Sequence, residues 1–435
     1  MRLFDTLRFL LSSNFVLAIS SFLIGIASAR YLGASGRGEF YLLMQYITLL
    51  SVVIAAGLHP AYQFHLSKGI FSKETTLSLI FIQFSTLAII FFGLFYYLSF
   101  WNVAIEIIQF VINNWLIVYF GIFLEIVCYY WTAVLMTYSR GVRVTSYLAG
   151  VRGVSQLLIF LILVYFFLDE PDKLWAAITA YFIALFIRAF FSILEVGKIK
   201  MTIPADFISL NLKLYKYGAA TLLFNLSVLL IFKIDTFMIS EALGYKELGI
   251  YSIAVALAEV LLMIPSVIGV ALFAHFPSMK NEEQILLLKR VFFAVFAMSI
   301  LLSIFLYIIG PIIISPLFGE AFSKATSPFQ ILLPGIVAMS LNYSIANYFA
   351  GTGRPIIAAI AFFFGVIINI SLNFFLIPKY GISGAAIASS ISYICVTIFF
   401  LLTLKKLNKI KIYEFLSLKY DDFLYFKNTF YKYKS

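Results

Sequence analysis

Residues 31–41 read YLGASGRGEFY, and residues 242–252 read ALGYKELGIYS. Aligned on Gly33 and Gly244, an offset of 211, the two stretches also match Leu32 with Leu243, Gly38 with Gly249 and Phe40 with Tyr251. At the same offset Asn14 falls on Asn225 and Arg143 on Arg354, and WAAITAY near 175 echoes GAAIASS near 384. Each copy separates two long apolar runs. Glycine at those points permits the positive φ or close backbone approach of a tight connection between antiparallel helices. Six apolar runs lie between the copies, so both enter the bilayer in the same sense. That spacing predicts a parallel pseudo-repeat, two halves related by an axis along the membrane normal.

The rest of the chain fits this frame. Of 435 residues, 63% are apolar and 12% charged, with a mean hydropathy of +1.02. Soluble domains carry about 45–50% and about 25% respectively, so the composition excludes a soluble enzyme, a disordered chain and a collagen-like fibre. Runs of the ~20 residues needed to cross a bilayer fall near 10–32, 40–60, 75–99, 115–138, 147–168, 174–195, 215–240, 249–275, 291–314, 327–350, 355–377 and 382–404. Glycine and proline punctuate most of the joints. The expectation is an all-α polytopic membrane protein with 12 transmembrane helices. They form two six-helix bundles, residues 1–200 and 201–404, followed by a basic, aromatic tail at 405–435. The N-terminal run lacks a small-residue cleavage site and reads as a retained span.

Orientation follows lysine and arginine counts. With the N-terminus inside, 23 fall in or next to cytoplasmic connections and 6 outside, which predicts N-in and C-in. The net charge of +11 therefore reads as positive-inside bias rather than nucleic-acid affinity. The tail alternates eight lysines with nine aromatics, which suits an amphipathic segment on an anionic leaflet. Cys128 and Cys395 lie in apolar runs and read as small buried hydrophobes. Pro265 and Pro334 sit inside spans of the second half only, which predicts the more bent bundle there.

Three stretches resemble one family: ARYLGASGRGEFYLL at 29–43, KIDTFMISEALGYKELGIYSIAVALAE at 233–259, and LIPKYGISGAAIASSISY at 376–393. They are similar to the polysaccharide repeat-unit flippases (Wzx type, O-antigen and capsule flippases) of the multidrug/oligosaccharidyl-lipid/polysaccharide exporter superfamily. The resemblance covers almost the whole chain. It implies a flippase of the bacterial inner (cytoplasmic) membrane, moving undecaprenyl-diphosphate-linked oligosaccharide to the periplasmic leaflet by alternating access. It also implies coupling to an ion gradient. Lipid II flippases of the same superfamily usually carry two further spans, and no run after Leu404 would supply them.

A charge at membrane depth costs several kcal/mol, so each one is a functional candidate. Cationic side chains in a wet central cavity would replace the hydration of a diphosphate. Arg30, Arg188, Lys233 and Arg354 are the candidates for substrate binding. Asp235, Glu125 and Glu259 are the candidates for the coupling cation, Na+ or H+. Lys233 and Asp235 are two residues apart, about 200° around a helix, and cannot share a face. Each needs its own partner or its own water.

No cofactor is expected beyond that ion. No GxxxxGK[ST] occurs, and His59, His65 and His275 are scattered, which argues against ATP hydrolysis and metal catalysis. A transporter is expected rather than an enzyme. Its partners would be the lipid-linked oligosaccharide, membrane lipids and, at the tail, a polysaccharide polymerase or other envelope-assembly proteins. The rivals are a cation-coupled multidrug exporter of the same superfamily, a membrane polysaccharide polymerase or ligase, and a non-transporting scaffold. A polymerase usually carries a long catalytic outer loop, and the longest outer connection here is about fifteen residues.

Overall fold

The computed structural model describes residues 3–67, 115–136, 141–166, 170–196, 207–263 and 280–408, with single positions between 76 and 97, Pro265, Ile268 and Phe415. Nine α-helices account for most of these residues: α1 (Leu3–Ile54), α2 (Leu58–Ser67), α3 (Trp115–Leu135), α4 (Gly141–Phe166), α5 (Glu170–Val196), α6 (Phe207–Glu259), α7 (Asn281–Phe318), α8 (Thr326–Gly351) and α9 (Pro355–Asn408). Short 3-10 turns at Val260–Leu262 and Glu320–Ala325 complete the described elements. Among the described residues eight helices are long and apolar enough to cross a membrane. The protein is a polytopic α-helical membrane protein. The expected span at 75–99 and the tail beyond Asn408 lie largely outside the described residues.

Three helices are hairpins. Gly33 in α1, Gly244 in α6 and Gly381 in α9 hold φ at 67°, 81° and 58°, a region open to glycine and strained for other residues. Side-chain contacts prove the reversals. Lys233 Nζ and Glu259 Oε1 are 2.9 Å apart across 26 residues, where a straight helix would separate them by about 39 Å. Asn369 Nδ2 donates to Ser389 Oγ at 3.1 Å across 20 residues, and Arg37 Nη1 to the Gly25 carbonyl at 2.9 Å across 12. The glycine pair of the repeat therefore turns the chain at equivalent places in α1 and α6.

The two hairpin tips also touch each other. A Cβ at Gly38 would sit 1.8 Å from the Tyr245 carbonyl oxygen, and one at Gly249 would sit 1.9 Å from the Ala34 carbonyl oxygen. Under the repeat Ala34 corresponds to Tyr245 and Gly38 to Gly249. The contact is thus its own image when the copies are exchanged. At the other end of these helices Thr221 Oγ1 donates to the Gly57 carbonyl at 2.8 Å. The first and second halves of the chain meet at both ends.

Lipid offers no hydrophobic drive for helix association, so close packing of small residues and buried polar contacts carry it. Along α9, Ala358, Ala361, Ala385, Ala388, Ser389 and Ser392 are fully buried. Phe349, Phe362 and Phe400 fill the space between α8 and the two arms of α9, with ring centroids 5.8–5.9 Å apart. Other large residues face outward: Leu301, Phe374 and Phe375 are among the most exposed. Pro311 and Pro316 lie inside α7 and Pro334 inside α8. Cys128 and Cys395 are unbridged, the first buried and the second half-buried.

Candidate functional site

Between the halves lies a cavity of about 560 Å³. Thr48 of α1, His59 of α2 and Tyr129 of α3 line it from one side, and Asn225, Lys233 and Glu259 of α6 with Tyr343 of α8 from the other. Cavities of this size suit compact ligands. The hairpin at Gly244 brings Lys233 and Glu259 onto the same wall. Their side chains remain 17% and 32% exposed and both border the cavity. Lys233 also donates to Tyr41 Oη at 3.3 Å and lies 5.8 Å from the centre of that ring. Lys233 thereby reaches from the second half to the first.

Asp235 points the other way, as the 200° separation predicts. It is 2% exposed and packs inside the second half. Its Oδ1 accepts from the Thr236 backbone N–H at 2.8 Å, and its Oδ2 accepts from Tyr251 Oη and, at 3.2 Å, from Ser389 Oγ. The chain of contacts runs on through Asn369 to Asn373, whose Nδ2 donates to Asn369 Oδ1 at 2.7 Å. Asn373 Oδ1 is buried without a hydrogen-bond partner. Among the described residues no lysine or arginine lies within ion-pair distance of Asp235. This is a carboxylate held by neutral donors, with an unmet oxygen at the far end of the same chain of contacts, the donor chemistry that suits a proton or a hard cation.

Glu125 is different again. Its Oε1 accepts from Arg152 at 3.1 Å and from Tyr181 Oη at 2.8 Å, with the guanidinium over the Tyr181 ring. The three residues tie α3, α4 and α5 together.

The remaining cationic candidates do not join Lys233 on the cavity wall. Arg30 donates from Nε to the Leu317 carbonyl at 2.9 Å and from Nη2 to the Pro316 carbonyl, closing the C-terminus of α7, where orphan carbonyls need donors. Arg354 is exposed in the turn between α8 and α9, its backbone N–H bonded to the Phe349 carbonyl. Arg188 is half-buried on α5 with Cys128 and Tyr129 within electrostatic reach.

Sequence reasoning missed other groups. Arg37 and Arg152, counted with the loop charges, are packed within the helices: Arg37 is 7% exposed and bonds Ser252 Oγ at 2.9 Å, Ser28 Oγ and the Gly25 carbonyl. Asn369 and Asn373, four apart in an apolar run and so on one helix face, were a legible signal for the Asp235 cluster. His59 stacks on Tyr129 at 5.4 Å with its Nδ1 unpartnered in the cavity wall. Among the described residues no group of three or more His, Cys, Asp and Glu is placed to hold a metal ion.

Solved structures share this fold. The chain superposes on lipid II flippase MurJ in an inward closed conformation with a TM-score of 0.75 at 15% identity, over 93% of this chain and 88% of that one. It matches an inward-facing multidrug resistance MATE family transporter of the MOP superfamily with a TM-score of 0.70 at 14% identity, over 93% and 99%. An uncharacterized membrane protein of Methanocaldococcus jannaschii is 23% identical over 94% of this chain and 85% of its own. The probable low-salt glycan biosynthesis flippase Agl15 of Haloferax volcanii is 22% identical over 84% and 75%. A family model named MatE matches residues 220–375. A second, described as polysaccharide biosynthesis protein, matches residues 6–281, which include both hairpin tips and the Lys233–Glu259 wall. With well over half of its length matched by that model, the chain belongs to the polysaccharide biosynthesis protein family of multi-pass membrane proteins.

Proposed function

We propose that the protein is a flippase for lipid-diphosphate-linked oligosaccharides, working by alternating access between two like-oriented six-helix halves. The observation that carries this reading is Lys233, a lysine opened to a cavity between the halves at membrane depth and touching both of them. A diphosphate cannot cross hydrocarbon bare, and a lysine ammonium can replace part of its hydration. The sugar would occupy the cavity while the isoprenoid tail stays in the lipid. Family membership and the flippase relatives support the substrate class. Archaeal relatives widen the setting beyond a bacterial inner membrane to cytoplasmic membranes generally, so an undecaprenyl carrier is one member of the polyprenyl class.

Three hairpins giving two crossings each, five single crossings and the span at 75–99 would make up twelve, with both termini inside. Asp235 is the coupling site in this reading, binding Na+ or H+ in the second half. Glu125, already held by Arg152, serves the first half as a packing group. The tail would meet the inner leaflet and other envelope-assembly proteins.

The rival, a cation-coupled drug exporter, is favoured by the MatE match and by Glu259 among Tyr129, Phe232 and Tyr343, a wall that would also suit an organic cation. The deciding experiment deletes the gene in its host and measures lipid-linked oligosaccharide in each leaflet. Accumulation on the cytoplasmic side, reproduced by Lys233→Ala in a protein that inserts normally, is the expected result. Normal distribution together with sensitivity to cationic drugs would favour the exporter.

A further inference from the structure

We infer that Glu259 is a resident counter-ion that stands in for the substrate's phosphate on Lys233, and that substrate binding exchanges one anion for the other. The inference rests on the flippase reading and deepens it. A lysine exposed to a cavity at membrane depth is costly when unpaired, and an unguarded one would take up any small anion. The structure pairs it with a carboxylate on the same cavity wall, at 2.9 Å, with both side chains partly exposed. Glu259 belongs to the second arm of the α6 hairpin and Lys233 to the first, so the pair bridges the two arms.

The comparison with the Glu125–Arg152 pair separates a latch from a brace. Glu125 is 6% exposed and carries a second donor from Tyr181. Glu259 is 32% exposed, and the hydrogen bond from Lys233 is the one its carboxylate receives among the described residues. An ion pair with that much access to the cavity can be opened by a competing anion. Lysine has three donors on one compact head. Glu259 and Tyr41 take two, and a phosphoryl oxygen arriving at the third meets the negative charge of Glu259 at contact range. Like charges at that distance repel strongly in a partly desolvated site. A diphosphate, with several negative oxygens, displaces the carboxylate; a monoanion gains too little to do so. Glu259 thus sets a threshold of charge for entry, discriminating by repulsion as well as attraction. The released carboxylate adjoins the Val260–Leu262 turn, where α6 tightens.

The test uses the full-length protein in detergent, with farnesyl diphosphate as the probe, farnesol as the uncharged control and inorganic phosphate as the small-anion control. Binding is measured by isothermal titration calorimetry. Glu259→Gln keeps the shape and removes the charge. It should bind farnesyl diphosphate about tenfold more tightly than wild type, within the usual range of site coupling, and should newly respond to inorganic phosphate. Glu259→Asp, one methylene shorter, should bind a few-fold more tightly and serves where the glutamine variant does not fold. In Lys233→Ala/Glu259→Gln the gain should vanish. Equal or weaker binding by the Glu259 variants, or a gain that persists without Lys233, overturns the counter-ion role. If Lys233→Ala loses binding while the Glu259 variants gain nothing, the flippase reading stands and this inference falls. If farnesyl diphosphate binds wild type no better than farnesol, both fall.

Discussion

Two buried carboxylates, one in each half of the molecule, are solved in opposite ways. In the first half Glu125 is met by Arg152 and Tyr181. In the second Asp235 is met by Tyr251, Ser389 and a backbone N–H, with Asn369 and Asn373 behind. The first arrangement carries no net charge and binds three helices to one another. The second leaves a buried carboxylate without a cationic partner among the described residues and one unmet amide oxygen. The two acids are not counterparts under the 211-residue offset, which sets Glu125 against Ile336 and Asp235 against Ile24, and the identity of the donors decides whether each is a brace or a socket.

The largest effect that would break this contrast is on stability. Glu125→Met strands Arg152, and removing one partner of a buried pair costs about 3–5 kcal/mol. A marked loss of thermal stability in detergent is expected, with Glu125→Met/Arg152→Met recovering most of it. A mild effect of the single variant would place Glu125 with Asp235 as a functional acid. Next comes Asp235→Asn, which keeps the shape of the cluster and removes its charge. Ion-driven flipping in proteoliposomes should fall tenfold or more, with the folded protein intact. Wild-type rates would remove Asp235 from the coupling role. The smallest effect belongs to Asn373→Leu. It removes a buried oxygen that has no partner and also the hydrogen bond to Asn369 Oδ1, two changes of opposite sign, so the net change in stability should be only about 1 kcal/mol. Stabilisation of the protein by added Na+ should weaken a few-fold, and an unchanged response would place the cation away from Asn373.

Much of this architecture could be read from the chain. The paired glycines at 33 and 244 announced two reversals, and Gly38 with Gly249 announced a close approach, because few residues tolerate those backbone states. The two-residue spacing of Lys233 and Asp235 announced opposite destinations, since helical geometry alone fixes their angle. Partner choice was not legible in the same way. Arg152 sits 27 positions from Glu125 and was counted with the loops, because a hydropathy window cannot tell an arginine at a span's edge from one folded inward. Arg30 and Arg354 carry the same charge as Lys233, yet the first closes a helix end and the second stands exposed in a turn. The amides of α9 escape a count of charges because they are neutral, although their four-residue spacing marks one helix face. Tertiary packing decides which polar groups meet, and that is set by the arrangement of helices rather than by any one of them.

The seam at Gly38 and Gly249 has a mechanical meaning. Main chain rests on main chain there, and beside the contact Arg37 crosses to Ser252 Oγ. Surfaces that mesh like teeth must disengage before they part, whereas smooth ones slide or separate with little resistance. At that end of the molecule, rocking one half against the other would turn about the glycine contact while carrying or breaking the Arg37–Ser252 bond, like a bearing held by a single pin.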